Sequence, residues 1–223
     1  MNVFNLRIKG RLIFLQLLTP AHAESFLTYL LANQQFHAPY VPLRDESYFT
    51  LENAINQTTQ WTEVEQDQRY SFGIFEQASE RLVGKITLSQ VFRGPFQNAF
   101  IGYDLDHSCQ SQGYMTEALH LLMSFSFNRL LLHRLQANIM PHNRASQRVL
   151  EKAGFVKEGF GANYLKIHGK WEDHLFYALT KERFDEHSKN APYPVIYEEG
   201  AEAITIKDER QSDSSQKCLS KAW

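Results

Sequence analysis

The sequence predicts an α/β domain on a mixed sheet, and three observations carry that prediction. Short apolar runs suited to strands are interleaved with longer runs whose apolar residues recur at spacings of three and four. Three strand-like runs follow one another between residues 70 and 106 with only turns between them, which favours antiparallel neighbours. Two runs, 98–106 and 134–140, are joined through a helical stretch, which favours a parallel pair with a right-handed crossover. The expected order is β-α-α-β-β-β-α-β-α-β-β.

RLIFLQLL (11–18) reads as a buried strand. Thr19-Pro20 then supplies an N-cap and a proline at the first helical position. Ala23, Phe26, Leu27, Leu30 and Leu31 form the apolar face of that helix. The segment FHAPYVPLRDESYF (36–49) is a loop broken by Pro39 and Pro42. A second helix starts near Thr50, with Leu51, Ala54 and Ile55 on one side. YSFGIFE (70–76) and LVGKITLSQVF (82–92) flank a turn, and Gly94-Pro95 separates them from NAFIGYDLD (98–106). A helix from about 113 to 128 carries Met115, Ala118, Leu119, Leu122 and Phe125 on one face. RLQANIM (134–140) is the next strand. The helix after it opens on Asn143, whose side-chain oxygen can accept from a free N–H of the first turn, and it closes at Gly154. Val149, Leu150 and Ala153 are its buried stripe. NYLKIHG (163–169) and KWEDHLFYAL (170–179) complete the core.

The 223 residues are 43% hydrophobic and 22% charged, which suits one sizeable domain, assigned to residues 1–184. After Phe184 the periodicity fails, and 185–223 reads as a polar, flexible tail. Within it YPVIY (193–197) is the stretch suited to pack as a strap. The formal charge of −2 gives no basic footprint for nucleic acid. Cys109 and Cys218 lack disulfide or metal spacing, and the histidines form no metal motif, so no metal is expected. Asn5, Arg7, Lys9 and Arg11 interrupt the apolar N-terminus. Neither a signal peptide nor a membrane span is expected, and the expected location is cytoplasmic.

Two turns carry the chemistry. HSCQSQGYMTEAL (107–119) runs from a strand end through a polar loop with one glycine into a helix. Such a turn aims free N–H groups at an anion. MPHNRASQRVLEKAGF (140–155) places a second helix start directly after the neighbouring parallel strand. Both helix starts then lie at the carboxyl ends of adjacent parallel strands, the edge where open α/β sheets bind ligands.

At these residues the chain resembles the GNAT superfamily of acetyl-CoA-dependent N-acetyltransferases. Gln110-Ser111-Gln112-Gly113-Tyr114-Met115 is similar to that family's pyrophosphate loop at Gln110 and Gly113, and differs at Met115, where a small residue is usual. YMTEAL, with Asn143, Ser146, Glu151, Lys152, Gly154 and Phe155, resembles the RimJ/RimL branch, whose members acetylate the N-terminal α-amine of ribosomal proteins. VPLRDESYF, FRGPFQNAFIGY and MPHNRAS resemble its RimJ side, and the whole resemblance spans about residues 6–184.

The resemblance implies a mostly antiparallel sheet, helices on both faces, and a parallel pair splayed at the acetyl-CoA site. It implies acetyl-CoA as cosubstrate, held by Tyr103, Asp104 and Leu105 and by Gln110, Ser111, Gln112, Gly113, Tyr114, Met115 and Thr116. Asn143 would bond the pantetheine arm or lie beside the reacting centre, and Ser146 would protonate the leaving thiolate, which makes these two the candidate catalytic residues. Tyr40, Arg44 and Tyr48 would border the acceptor. The expected acceptor is the N-terminal alanine of a ribosomal protein. A small-molecule amine is the second reading, and a non-catalytic CoA-binding module the third. Relatives carry a basic glutamate where this chain has Phe100 or Leu165, so Glu117, Asp104, Glu158 and a water chain stay open as bases. The chain is expected to be a monomer or a homodimer.

Overall fold

The computed structural model describes residues 3–188 and 193–199. In chain order its elements are β1 (Leu6–Lys9), β2 (Ile13–Leu17), α1 (Ala23–His37), α2 (Leu51–Thr58), α3 (Trp61–Glu65), β3 (Tyr70–Glu76), β4 (Leu82–Phe92) and β5 (Asn98–Leu105). They continue with α4 (Tyr114–Asn128), β6 (Arg134–Ile139), α5 (Arg144–Lys152), β7 (Val156–Ile167), β8 (Lys170–Thr180), α6 (Lys181–Ser188) and β9 (Ile196–Glu199). The strands form one sheet in the order β7-β8-β6-β5-β4-β3-β2-β1-β9. The β5–β6 pair is parallel, as the helical crossover requires, and the other pairs among the described residues are antiparallel.

Alternation along the strands builds two cores. Ile13, Leu15 and Leu17 of β2 join the larger one with α4, α5 and α6, while Phe14 faces the other way and packs with Phe26 and Ala54 of α1 and α2. Helices therefore cover both faces. The exposed sides of α1 and α2 are more apolar than their patterns suggest. Leu31, Leu51 and Ile55 are exposed, and Tyr29 and Asn33 are buried on α1 instead.

The sequence reading misses four elements, β1, α3, α6 and β9, and shortens a fifth. β1 alternates buried Leu6 and Ile8 with half-buried Arg7 and Lys9, but four residues among charges give little periodicity. α3 is five residues long and starts without a side-chain cap. β7 starts at Val156, not at 163, because Gly159 and Gly161 hide a strand that runs over an aromatic ring. A Cβ at Gly161 would stand 2.5 Å from Phe176 Cζ. The tail needs correction where it is described. Residues 185–188 continue α6, and β9 pairs antiparallel with β1. There Tyr197 shares a hydrogen bond with Ser124 (3.0 Å) and lies under the Arg129 guanidinium (4.5 Å). Residues 189–192 and 200–223 of the expected tail lie outside the described residues.

α4 is buried along most of its length, and so is its acidic residue. Glu117 is 0% exposed. Its Oε1 accepts from the backbone N–H groups of Arg11 (2.6 Å), Leu12 (2.8 Å) and Ile13 (3.2 Å), which form the turn between β1 and β2. The three donors offset the lost hydration of Oε1, while Oε2 is buried with no hydrogen-bond partner among the described residues, and the carboxylate serves as a staple between helix and hairpin. That contact removes Glu117 from the candidate bases. Gly10 must stay small beside it, because a Cβ there would stand 2.1 Å from Glu117 Oε1. Gly10→Ala is expected to displace the carboxylate and cost about 2–3 kcal/mol. In thermal denaturation the midpoint should fall by roughly 5–10 °C.

Candidate active site

The site begins where β5 and β6 part. Their shared register runs Asn98↔Arg134, Ala99↔Leu135 and Phe100↔Gln136, and stops. β5 continues to Leu105 paired with β4, and β6 continues to Ile139 paired with β8. The Asp106 N–H bonds Val83 O (2.8 Å), so alternate residues of β5 face β4. The regular register then turns the N–H groups of Tyr103 and Leu105 away from β4 and into the opening.

Two helix starts flank that opening. Asp106 N-caps a short turn over His107–Cys109, and the chain then passes Ser111 (φ +60°) and Gly113 (φ +86°) into α4. No side chain caps α4, and its first intrahelical bond runs from Glu117 N to Gly113 O (3.0 Å). The N–H groups of Tyr114, Met115 and Thr116 are therefore left without helical partners. The side chains of the first two go elsewhere. Tyr114 donates to Glu76 (2.6 Å), and Met115 is buried in the larger core. Only their backbone is available to a ligand at this loop. Gln110, Ser111 and Gln112 are exposed, and open space surrounds the Cβ direction of Gly113.

α5 is capped as its sequence predicts. Asn143 Oδ1 accepts from Ser146 N (3.1 Å), and Gly154 closes the helix at φ +89°. Leu150 and Ala153 are buried, Val149 is half-buried, and Gln147 joins them by bonding Pro141 O (2.7 Å). Tyr103 reaches across the opening and donates to Ser146 O (3.3 Å). Burial pushes the Tyr103 hydroxyl pKa well up, which keeps it a neutral donor. Asn143, Ser146 and Tyr103 thus meet at one place.

Asp104 does not join them. Its side chain points to the opposite face, where it accepts from Tyr29 (2.5 Å) and lies 3.8 Å from Lys85 Nζ. Burial, and then the Asp104 charge, push the Tyr29 hydroxyl pKa well up. Two more contacts fasten α1 to the same end of β5. His37 Nε2 donates to Leu105 O (2.9 Å), and Asn33 Oδ1 accepts from His107 N (2.9 Å).

The expected acceptor residues split. The Tyr40 ring faces His142 at 5.9 Å, and His168 N bonds Val41 O (3.2 Å), so this loop reaches both the α5 entry and the β7–β8 turn. Arg44 instead stacks on Tyr48 at 4.1 Å, and Tyr48 bonds Gln57 (3.0 Å) along α2. Glu158 is held by Arg134 through two hydrogen bonds. It borders an open cavity of about 340 Å³ that starts at Phe100 and Gln136, the last parallel pair. Asn138 and Tyr164, which the sequence reading leaves out, also line it. RLQANI carried that signal. Its polar positions 134, 136 and 138 alternate with apolar ones, as on a strand with one open face. Among the described residues no group of three or more His, Cys, Asp or Glu is placed to hold a metal ion. No helix there is long and apolar enough to cross a membrane.

A mixed sheet that opens at its parallel pair, with one uncapped helix start at the mouth, defines an α/β domain suited to a phosphate-bearing ligand. The acetyltransferase (GNAT) domain family matches residues 11–156, and the chain belongs to that family. It is 42% identical over 173 residues to "Probable N-acetyltransferase YjcK" of Bacillus subtilis, covering 77% of this chain and 96% of the relative. It is 32% identical over 180 residues to the [Ribosomal protein uS5]-alanine N-acetyltransferase of Escherichia coli, covering 80% and 93%. Among solved structures, the ribosomal-protein-S5-alanine acetyltransferase of Vibrio fischeri superposes with TM-score 0.75 at 29% identity, covering 79% of this chain and 97% of that one. RimJ of Mycobacterium smegmatis, in complex with CoA-disulfide, gives TM-score 0.76 at 26% identity, covering 81% and 90%. The chain is a GNAT N-acetyltransferase.

Tyr29→Phe keeps the ring but removes the bond that ties α1 to β5. A hydrogen bond to a charged group is worth about 1.5–3 kcal/mol, so stability should fall by that order in denaturant titration. An unchanged midpoint would show that Lys85 alone satisfies Asp104.

Proposed function

We propose that the chain transfers acetyl from acetyl-CoA to the N-terminal α-amine of a protein, with an N-terminal alanine of a ribosomal protein as the favoured acceptor. The observation that carries the reading is the opening between β5 and β6, with Tyr103, Asn143 and Ser146 gathered at it. The likeness to the uS5-alanine enzyme along nearly its whole length supports the acceptor.

In this reading the N–H groups at the start of α4 take the pyrophosphate, and Gly113 lets it approach. The pantetheine arm lies in the opening beside Asn143, whose amide nitrogen stays available while Oδ1 caps α5. The amine nitrogen attacks the thioester carbon. The oxyanion that forms needs preorganised donors, which the N–H groups of Tyr103 and Leu105 supply. The C–S bond then breaks, the sulfur takes a proton from the Ser146 hydroxyl, and the extra proton of the amine passes through water to restore that hydroxyl. An α-amine with a pKa near 7.7–8.0 is partly neutral at pH 7 and needs little help from a base.

Three measurements test the reading. Peptides with a free N-terminal alanine should be turned over in preference to small amines such as spermidine. CoA at a hundredfold its Kd should stabilise the protein by about 2.7 kcal/mol. Gly113→Asp should abolish that thermal shift, whereas Gly113→Asn should only weaken it. Both side chains tolerate a positive φ, so the difference isolates the negative charge beside the pyrophosphate. Equal CoA shifts in both variants would remove the loop from the site.

Ser146 and Asn143 should separate. Asn143→Ala removes a cap worth about 1 kcal/mol, and it should weaken acetyl-CoA binding at the same time. Ser146→Ala leaves the cap intact and should lower kcat by about 10²–10⁴ with little change in acetyl-CoA affinity. An unchanged kcat, where chemistry limits the rate, would leave Ser146 a helix-start residue only.

A further inference from the structure

The cavity on the open face of the sheet has a composition that bears on the acceptor. It starts at Phe100 and Gln136, where the parallel register ends, so it adjoins the apex of the opening. An amine that reaches the apex from this face must trail its next residue across the cavity. At about 340 Å³ it is near the lower end of the roughly 300–1,000 Å³ typical of ligand sites.

Its polar groups come in two kinds. Gln136 and Asn138 stand two residues apart on β6 and share one face. Each amide carries both a donor and an acceptor, which is what a peptide group needs. The charged residue in its lining is Glu158, which Arg134 holds from beside the cavity through two hydrogen bonds. Their opposite charges offset each other, and the Glu158 carboxylate uses both oxygens on Arg134. The apolar part is aromatic. Phe100, Phe176 and Tyr164 line the wall, the last two packed edge-on with centroids 4.8 Å apart. A polyamine brings further ammonium groups, each of which needs a free carboxylate when it leaves water. A peptide with an uncharged second residue brings amides and an apolar side chain, which match these walls.

We propose that this cavity is the subsite for the residue following the reacting α-amine, and that the Arg134–Glu158 pair makes it select an uncharged side chain there. The inference rests on the reading of the chain as an N-terminal protein acetyltransferase. Gln136 and Asn138 hold the first peptide group, and the aromatic wall packs the second side chain. Breaking the ion pair from either end should then leave one charge free and change the preferred peptide in opposite directions.

The test uses three peptides of otherwise identical sequence, Ala-Ile-, Ala-Lys- and Ala-Asp-, with spermidine as the small-amine control. The wild type should prefer the Ile peptide in kcat/KM by about tenfold or more. Arg134→Met frees the Glu158 carboxylate, and the Lys peptide should gain at least fivefold relative to Ile. Glu158→Gln frees the Arg134 guanidinium, and the Asp peptide should gain by a similar factor. Asn138→Ala should raise KM for all three peptides with little change in kcat. Folding of each variant is checked by its thermal shift with CoA, and if Arg134→Met does not fold, Glu158→Gln carries the test alone. Peptide turnover whose ranking does not change in the folded variants would overturn this inference and leave the proposed function standing. A wild type that acetylates spermidine and none of the peptides would overturn both.

Discussion

The site depends on a strand that is denied its neighbour. Backbone donors buried in a sheet are normally paired, and β5 is paired on both sides only as far as Phe100. Beyond that point the fold holds the two strands apart by giving each a stronger attachment elsewhere. β6 keeps a six-residue register with β8, from Arg134↔Thr180 to Ile139↔Leu175. The far end of β5 keeps β4 on one side and is fastened to α1 by Tyr29, Asn33 and His37. The opening is therefore set by contacts outside it, and a ligand need not force the strands apart to enter.

That arrangement divides the sheet into two approaches. On the face with α4 and α5, helix starts present backbone N–H groups and Tyr103 leans on Ser146. On the other face the polar side of β6 looks into a cavity walled by β7 and β8. One reactant can come from each side and meet at the last parallel pair. The β7 glycines belong to the second approach, since they let the backbone run close over Phe176.

What the sequence revealed divides along the same physical line. Features set by neighbours in the chain were legible. The strands 70–76 and 82–92, the cap at Asn143 and the glycine before α4 all follow from local pattern and were read correctly. Features set by distant partners were not. Glu117 looked like a candidate base because nothing near it in sequence reveals the Arg11–Ile13 turn that it staples. The Asp104 side chain was a candidate base, and nothing near it in sequence shows that Tyr29 of α1 holds it on the opposite face. The stacking of Arg44 on Tyr48 was likewise not visible in the sequence. β7 was hidden because glycine weakens a strand signal where a ring needs the space.

The fate of the three acidic candidates bears on which amine suits this site. Glu117 is occupied by three N–H groups, Asp104 by Tyr29, and Glu158 by Arg134. No one of them is poised as a free carboxylate beside Ser146. A lysine-type amine has a pKa near 10.4, against roughly 7.7–8.0 for an α-amine. The gap of about 2.5 units makes the neutral, nucleophilic form of the α-amine about 300 times more abundant near pH 7, equivalent to about 3.4 kcal/mol. An enzyme acting on the alkyl amine would have to recover that difference with a strong base at the apex. An enzyme acting on an α-amine can leave the last proton to water and use its side chains to hold the peptide. The carboxylate that borders the apex, Glu158, is paired with Arg134, and the amides along β6 beside it are neutral, an arrangement compatible with the second kind of acceptor.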